Sequence, residues 1–145
     1  MDLIIQIISC VFGTFAFAVT MKAPKKSLIF ISVGALISTS IERILSRYTD
    51  DFFTCFIAML VLSLYCEIIA RIIKEPTTIT LVPSTIPLLP GSAIYYTMLS
   101  LINSDMAGAK SYGKSTILTG LGIALGAVIS STIIKAIYKI RNVNA

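Results

Sequence analysis

The residues best placed to do chemistry lie in the run Val82-Pro83-Ser84-Thr85-Ile86-Pro87-Leu88-Leu89-Pro90-Gly91-Ser92. Each proline lacks an amide hydrogen, and its ring clashes with the preceding helical turn, so three of them cannot sit in one regular helix. In hydrocarbon such backbone survives only inside protein or beside a wet cavity. A single proline would be read as a kink in a structural helix, whereas Pro83, Pro87, Pro90 and Gly91 together predict a broken helix lining a pathway near mid-membrane. A helix restarting near Ser92 would expose the amides of Gly91, Ser92, Ala93 and Ile94 with the positive end of its dipole, a seat for a substrate carboxylate. Gly91 would let substrate or a neighbouring helix approach the backbone closely. Ser92 would act as N-cap or donate to a ligand. One of Tyr95 and Tyr96 is expected to face the cavity, although tyrosine belongs equally in an interfacial belt.

Ionisable residues inside apolar runs are the second signal, because charge at membrane depth is costly and usually faces a partner or water. Glu67 and Arg71 are four apart, so they share one helix face. Arg71 can snorkel to the interface, while Glu67 lies deeper, where it can pair with Arg71 or carry a proton. Glu42 and Arg43 sit beside Ser38, Thr39 and Ser40. No cofactor or metal is expected. Histidine is absent, and Cys10, Cys55 and Cys66 are scattered through apolar runs, without CxxC spacing, as small hydrophobes. With no HExxH, GxSxG or paired-aspartate motif, an enzyme is not expected.

The elements that must position these residues are set by composition. The 145 residues are 56% hydrophobic and 13% charged, with a mean hydropathy of +0.90, whereas soluble domains are about a quarter charged. Too few polar groups remain to cover a water-facing surface, so lipid is the fitting solvent. The expected architecture is an all-α integral membrane domain over residues 1–145 with about five transmembrane helices. They fall near 3–20, 27–45, 52–73, 78–102 (broken) and 115–138, with a polar connection from Asn103 to Lys114. Leu3 to Val19 lacks the basic leader of a secretory signal and is read as a retained first span. Gly122, Gly126 and Ser130 repeat at four-residue spacing and form a packing surface, which here is expected to seat a partner helix.

The net charge of +5 is read as loop asymmetry and not as a nucleic-acid patch. Five crossings place Lys22, Lys25, Lys26, Arg71, Lys74, Lys135, Lys139 and Arg141 on one side. Arg47, Lys110 and Lys114 fall on the other, with Arg43 at a boundary. The richer side is expected to be cytoplasmic, with the N-terminus outside and the C-terminus inside. A re-entrant fourth segment would leave four crossings and put the basic tail opposite the Lys22–Lys26 loop, a poorer fit.

Lys74-x-Pro76 followed by Val82-Pro83-x-x-x-Pro87-Leu88-x-Pro90-Gly91 and Tyr95 resembles the signature of the threonine/serine exporter family. The match is to its small membrane subunit, or the C-terminal membrane domain of the fused form. The resemblance runs from the first span through the last. The proline core is its specific part, and the surrounding helices match mainly in hydropathy. It implies export of small hydroxy amino acids across the bacterial inner membrane, with some members exporting dicarboxylates such as succinate instead. It also implies a second, larger membrane subunit of opposite orientation, so that this chain is one half of an inverted-repeat transporter and of a possible higher oligomer. On this reading the substrate-binding residues are Pro87, Pro90, Gly91, Ser92, Tyr95, Glu67 and Arg71. The competing reading is a structural or assembly membrane protein whose prolines only shape packing.

Overall fold

A backbone in hydrocarbon must satisfy its hydrogen bonds internally, and every regular element among the described residues is helical. The structure is a computed structural model that describes the backbone of residues 2–143 and the side chains of residues 5–136. The side chains of Lys139 and Arg141 therefore lie outside the described residues. The elements are α1 (Asp2–Thr20), α2 (Lys25–Leu45), α3 (Asp51–Ile73), α4 (Thr77–Thr85), a 3-10 turn (Ile86–Leu88), α5 (Gly91–Ile102) and α6 (Met106–Val143). Helices α2, α3 and α6 are long and apolar enough to cross a membrane. Helix α4 with its 3-10 turn, joined to α5, makes a fourth candidate bent by 50°. The described part of α1, Ile5–Thr20, is a shorter apolar helix.

Three helices end in the same way although no glycine stands at the turn. Lys22, Lys74 and Ser104 adopt left-handed φ values of 56°, 58° and 57°. In each case the next amide reaches back across the helix end: Ala23 to the Ala18 carbonyl, Glu75 to Ala70 and Asp105 to Ser100. This closes carbonyls that would otherwise be orphaned. Lysine at two of these positions also places a cation beside the negative end of the helix dipole, and Pro24 and Pro76 then prevent the helix from continuing. The expected polar loop from Asn103 to Lys114 is much shorter. Asp105 accepts a hydrogen bond from the Gly108 amide at 3.1 Å, an N-cap that starts α6 at Met106, and Tyr112 packs against Tyr96 of α5 with ring centroids 5.4 Å apart.

Side-chain contacts fix the directions of the helices. Ser27 of α2 donates to the Glu75 carboxylate just before α4. Further along, Ser84 donates to the Ile31 carbonyl at 3.1 Å and Ser38 reaches the Ser84 carbonyl at 3.4 Å, so α2 and α4 run parallel. Ser115 donates to the Asp51 carboxylate, and Gly122 and Gly126 follow against Phe52, Phe56 and Met59, so α3 and α6 are also parallel. The α4–α5 unit therefore starts at the Ile73 end of the bundle and delivers the chain beyond the Asp51 end. The helical axis bends by 50° at the break and then continues past the Asp51 end. Because Ser115 is level with Asp51, the first nine residues of α6 extend about 14 Å past the start of α3, accompanied by α5.

Helix α3 is the hub. Ala58, Met59, Leu62 and Cys66 form the buried core with Leu88, flanked by Ile41, Tyr65, Leu81, Ile123 and Ala127. The small-residue stripe of α6 is spent here. A Cβ on Gly122 would lie 2.6 Å from the Phe52 carbonyl oxygen, and one on Gly126 would lie 2.8 Å from that of Phe56. Ser130 is fully buried. Helix α3 of the same chain, and not a partner subunit, occupies the surface that the spacing marks out. The outer faces carry large apolar side chains such as Phe12, Ile29, Ile72 and Ile117, a surface suited to lipid.

Candidate functional site

The proline motif breaks the fourth traverse in two steps. Pro83 sits within α4, and Pro87 is the central residue of the 3-10 turn. The Gly91 amide then donates back to the Leu89 carbonyl at 2.8 Å, a tight turn around Pro90, and the Ile94 amide donates to the Pro90 carbonyl at 3.0 Å. Of the four amides expected to be open, Gly91 and Ile94 are thus occupied, leaving Ser92 and Ala93 without backbone acceptors among the described residues. Pro90, and not Ser92, holds the N-cap position, and no side chain caps the helix. Gly91 has no positive φ, and a Cβ built on it would meet nothing within 4 Å. Its openness matters here, not any left-handed conformation.

Beside this break is a cavity of about 250 Å³ lined by Glu42, Arg43, Ser46, Asp51, Thr54, Cys55, Pro87, Leu88, Leu89, Pro90, Ser92, Ala93, Ser115 and Thr119. Sites for drug-sized ligands run about 300–1,000 Å³, so this one suits a small metabolite. Its wall is mostly polar, while a cavity of about 310 Å³ between the α1–α2 turn and α4 is mostly apolar. Four elements supply the polar groups: the last turns of α2, the first turns of α3, the break itself, and the middle of the α6 arm where it meets α3. The cavity lies level with the final turns of α2, so the break is close to the Asp51 end of the bundle and not midway along it.

The charges in the wall are only partly matched. Arg43 Nε lies 3.4 Å from Glu42 Oε2 but has no hydrogen-bond partner, although that nitrogen is buried. Asp51 is exposed and accepts the Ser115 hydroxyl. Thr54 is buried and shares a hydrogen bond with Thr49 at 2.9 Å. Thr119 is buried beside Cys55.

Of the seven residues singled out from sequence, the structure brings Pro87, Pro90 and Ser92 into the cavity wall, with Gly91 between the latter two. Tyr95 is 63% exposed and packs edge-on against Tyr96 at 5.4 Å, and neither ring lines the cavity. Glu67 and Arg71 pair at 3.6 Å, twelve and more residues beyond Cys55 on α3, about 18 Å or further from the cavity at 1.5 Å per residue. Sequence reading had noted Glu42 and Arg43 as intramembrane charges without joining them to the motif. It missed Asp51, Thr54, Ser115 and Thr119. Their one available signal was that polar residues sit where apolar spans begin.

A helical bundle with an apolar exterior and a span broken at a proline motif defines a multi-pass membrane protein. The family model of the threonine/serine exporter, ThrE, matches residues 6–133. The chain belongs to the threonine/serine exporter family. No curated protein and no solved structure is similar enough to match it.

Proposed function

We propose that this chain is the small membrane subunit of a split exporter, moving threonine, serine or a similar small amino acid out across the bacterial inner membrane. The observation that carries the reading is the polar cavity at the break of the α4–α5 unit. There the Ser92 and Ala93 amides and the positive end of the α5 dipole would receive the substrate carboxylate. Pro87 and Pro90 hold the break, and Gly91 keeps its approach open. Tyr95, one turn on, would face the partner or the interface. Glu67 and Arg71 would serve the opposite mouth of the pathway, since they do not reach a ligand held at the break. The dicarboxylate alternative shares the carboxylate seat and is separated from this one by charge.

The cavity is exposed to one end of the bundle, and α5 is covered on one side only, by α6. Both features support a site completed by a second, larger membrane subunit. The test is efflux of labelled threonine, serine and succinate from loaded vesicles, with this chain alone and with its co-purifying membrane partner. Export of threonine or serine by the pair only is the expected result. Full export by this chain alone would sink the subunit reading.

The proposed topology has five passes with the N-terminus outside, and the loop charges support that orientation. Lys22, Lys25, Lys26, Arg71, Lys74 and Lys135 collect at one end of the bundle, while Arg43, Arg47, Lys110 and Lys114 collect at the other. A reporter fused after Ala145 is expected to read cytoplasmic, and one inserted at Asp50–Asp51 external. Both on one side would break the five-pass topology.

A further inference from the structure

We infer that Asp51 is the residue that selects for an α-ammonium group, so that the cavity takes its ligand as a zwitterion and rejects a dicarboxylate. The inference rests on the exporter reading and assigns the other half of the same site. Three charged side chains line the cavity, namely Glu42, Arg43 and Asp51. Arg43 is adjacent to Glu42 and lies 3.4 Å from it, so that pair is close to neutral as a unit. Among the described residues Asp51 forms no ion pair, and the charged group it interacts with is the Glu42 carboxylate, which Arg43 offsets. The one described hydrogen-bond partner of Asp51 is the Ser115 hydroxyl, a neutral donor that satisfies one of its two carboxylate oxygens. The other oxygen remains available to a ligand.

Ser92 and Ala93 line the same cavity at the start of α5, and their amides have no backbone acceptors among the described residues. The wall thus offers a fixed anion on α3 and an anion-binding helix end on α5, both lining a cavity of about 250 Å³. A ligand with one carboxylate and one ammonium close together satisfies both. A second carboxylate would face Asp51 as a like charge, which disfavours it. Ser115 is then a positioning residue. Its hydrogen bond joins α6 to α3 and occupies one of the two carboxylate oxygens.

The arrangement also explains why the polar groups converge here. Asp51 as first residue of α3 already gains from the helix dipole, but that role needs no cavity, no hydroxyl from another helix and no amides in the same wall. A purely structural carboxylate would be replaced by asparagine or serine with the same consequence for every ligand. A selecting carboxylate would not.

The experiment measures competition for labelled threonine efflux in native membrane vesicles carrying the full chain. The competitors are serine, 3-hydroxybutyrate (threonine without its amine), 1-amino-2-propanol (threonine without its carboxylate) and succinate. In the wild type, serine competes well, each single-charge analogue poorly, and succinate least. Asp51→Asn is expected to weaken threonine and serine by about tenfold to a hundredfold, the range for losing one charge-assisted hydrogen bond. The same variant leaves 3-hydroxybutyrate unchanged and improves succinate. Ser115→Ala gives a smaller loss with the same pattern. A uniform loss across all competitors in Asp51→Asn overturns the assignment, as does wild-type preference for succinate over serine. If wild-type vesicles export none of these solutes, the exporter reading itself fails and the assignment falls with it.

Discussion

Replacing Gly126 with leucine should prevent this protein from accumulating in the membrane as a folded species. On folding, α6 and α3 approach so closely that even a Cβ on Gly126 would sit 2.8 Å from the Phe56 carbonyl oxygen, 3.0 Å from Met59 Cβ and 3.2 Å from the Leu60 amide nitrogen. Two of those three atoms are backbone and cannot swing aside. The helices would have to separate along their whole contact, which also carries Gly122 against Phe52 and buries Ser130. Overpacking of this kind costs typically 1–3 kcal/mol for a side chain that can be accommodated, and a leucine against backbone should exceed about 3 kcal/mol. Domain stabilities are about 5–15 kcal/mol, so the loss is a large part of the whole. The paired control is Gly120→Leu, six residues away on the open face of α6, where a Cβ meets nothing within 4 Å. Thermal unfolding of the detergent-solubilised protein, followed by size-exclusion fluorescence, checks both. Equal unfolding temperatures for the two variants would show that α3 and α6 do not pack as described.

Gly91→Leu is expected to do the opposite, abolishing transport while leaving insertion, stability and partner binding intact. The backbone at Gly91 has no positive φ, and space is open around the missing Cβ, so leucine costs the fold little. What it fills is the approach to the Ser92 and Ala93 amides, the two donors left free at the start of α5. Ser92→Ala keeps both amides and removes at most a hydroxyl contact, about 0.5–1.5 kcal/mol, or a few-fold to about tenfold in affinity. Cys10→Ala is the neutral control, preferable to Cys55→Ala because Cys55 lines the cavity. Labelled-threonine efflux at the wild-type rate from a well-inserted Gly91→Leu variant would remove the break as the substrate seat and favour a packing role for the prolines.

Some features were legible because they depend on neighbours in the chain. The break at Pro83, Pro87 and Pro90 is a local matter of missing amides and ring clashes, and the structure puts the bend there. The helical spans follow from apolar length, and their bounds shifted mainly where a local cap was overlooked. Asp105 capping the Gly108 amide moved the start of α6 from about Ser115 back to Met106. Lys22 and Lys74 closing helices in left-handed conformations were also beyond composition, because lysine carries no preference that announces that turn.

The sequence by itself determined the apolar character, the helical class and the position of the broken span. Each of these is a property of one segment: how apolar it is and which residue lacks an amide. Only the tertiary structure decided what faces the break. Asp51 and Ser115 are 64 positions apart and meet because α3 and α6 run parallel. Glu67 shares α3 with Asp51 but lies towards its other end, so an intramembrane charge that looked central falls away from the cavity. The glycine stripe marked a close helix contact without naming the helix, and the packing chose α3 over an outside partner. Spacing along one helix fixes which residues share a face, but the direction and depth at which another helix crosses that face are settled by side chains from every element at once.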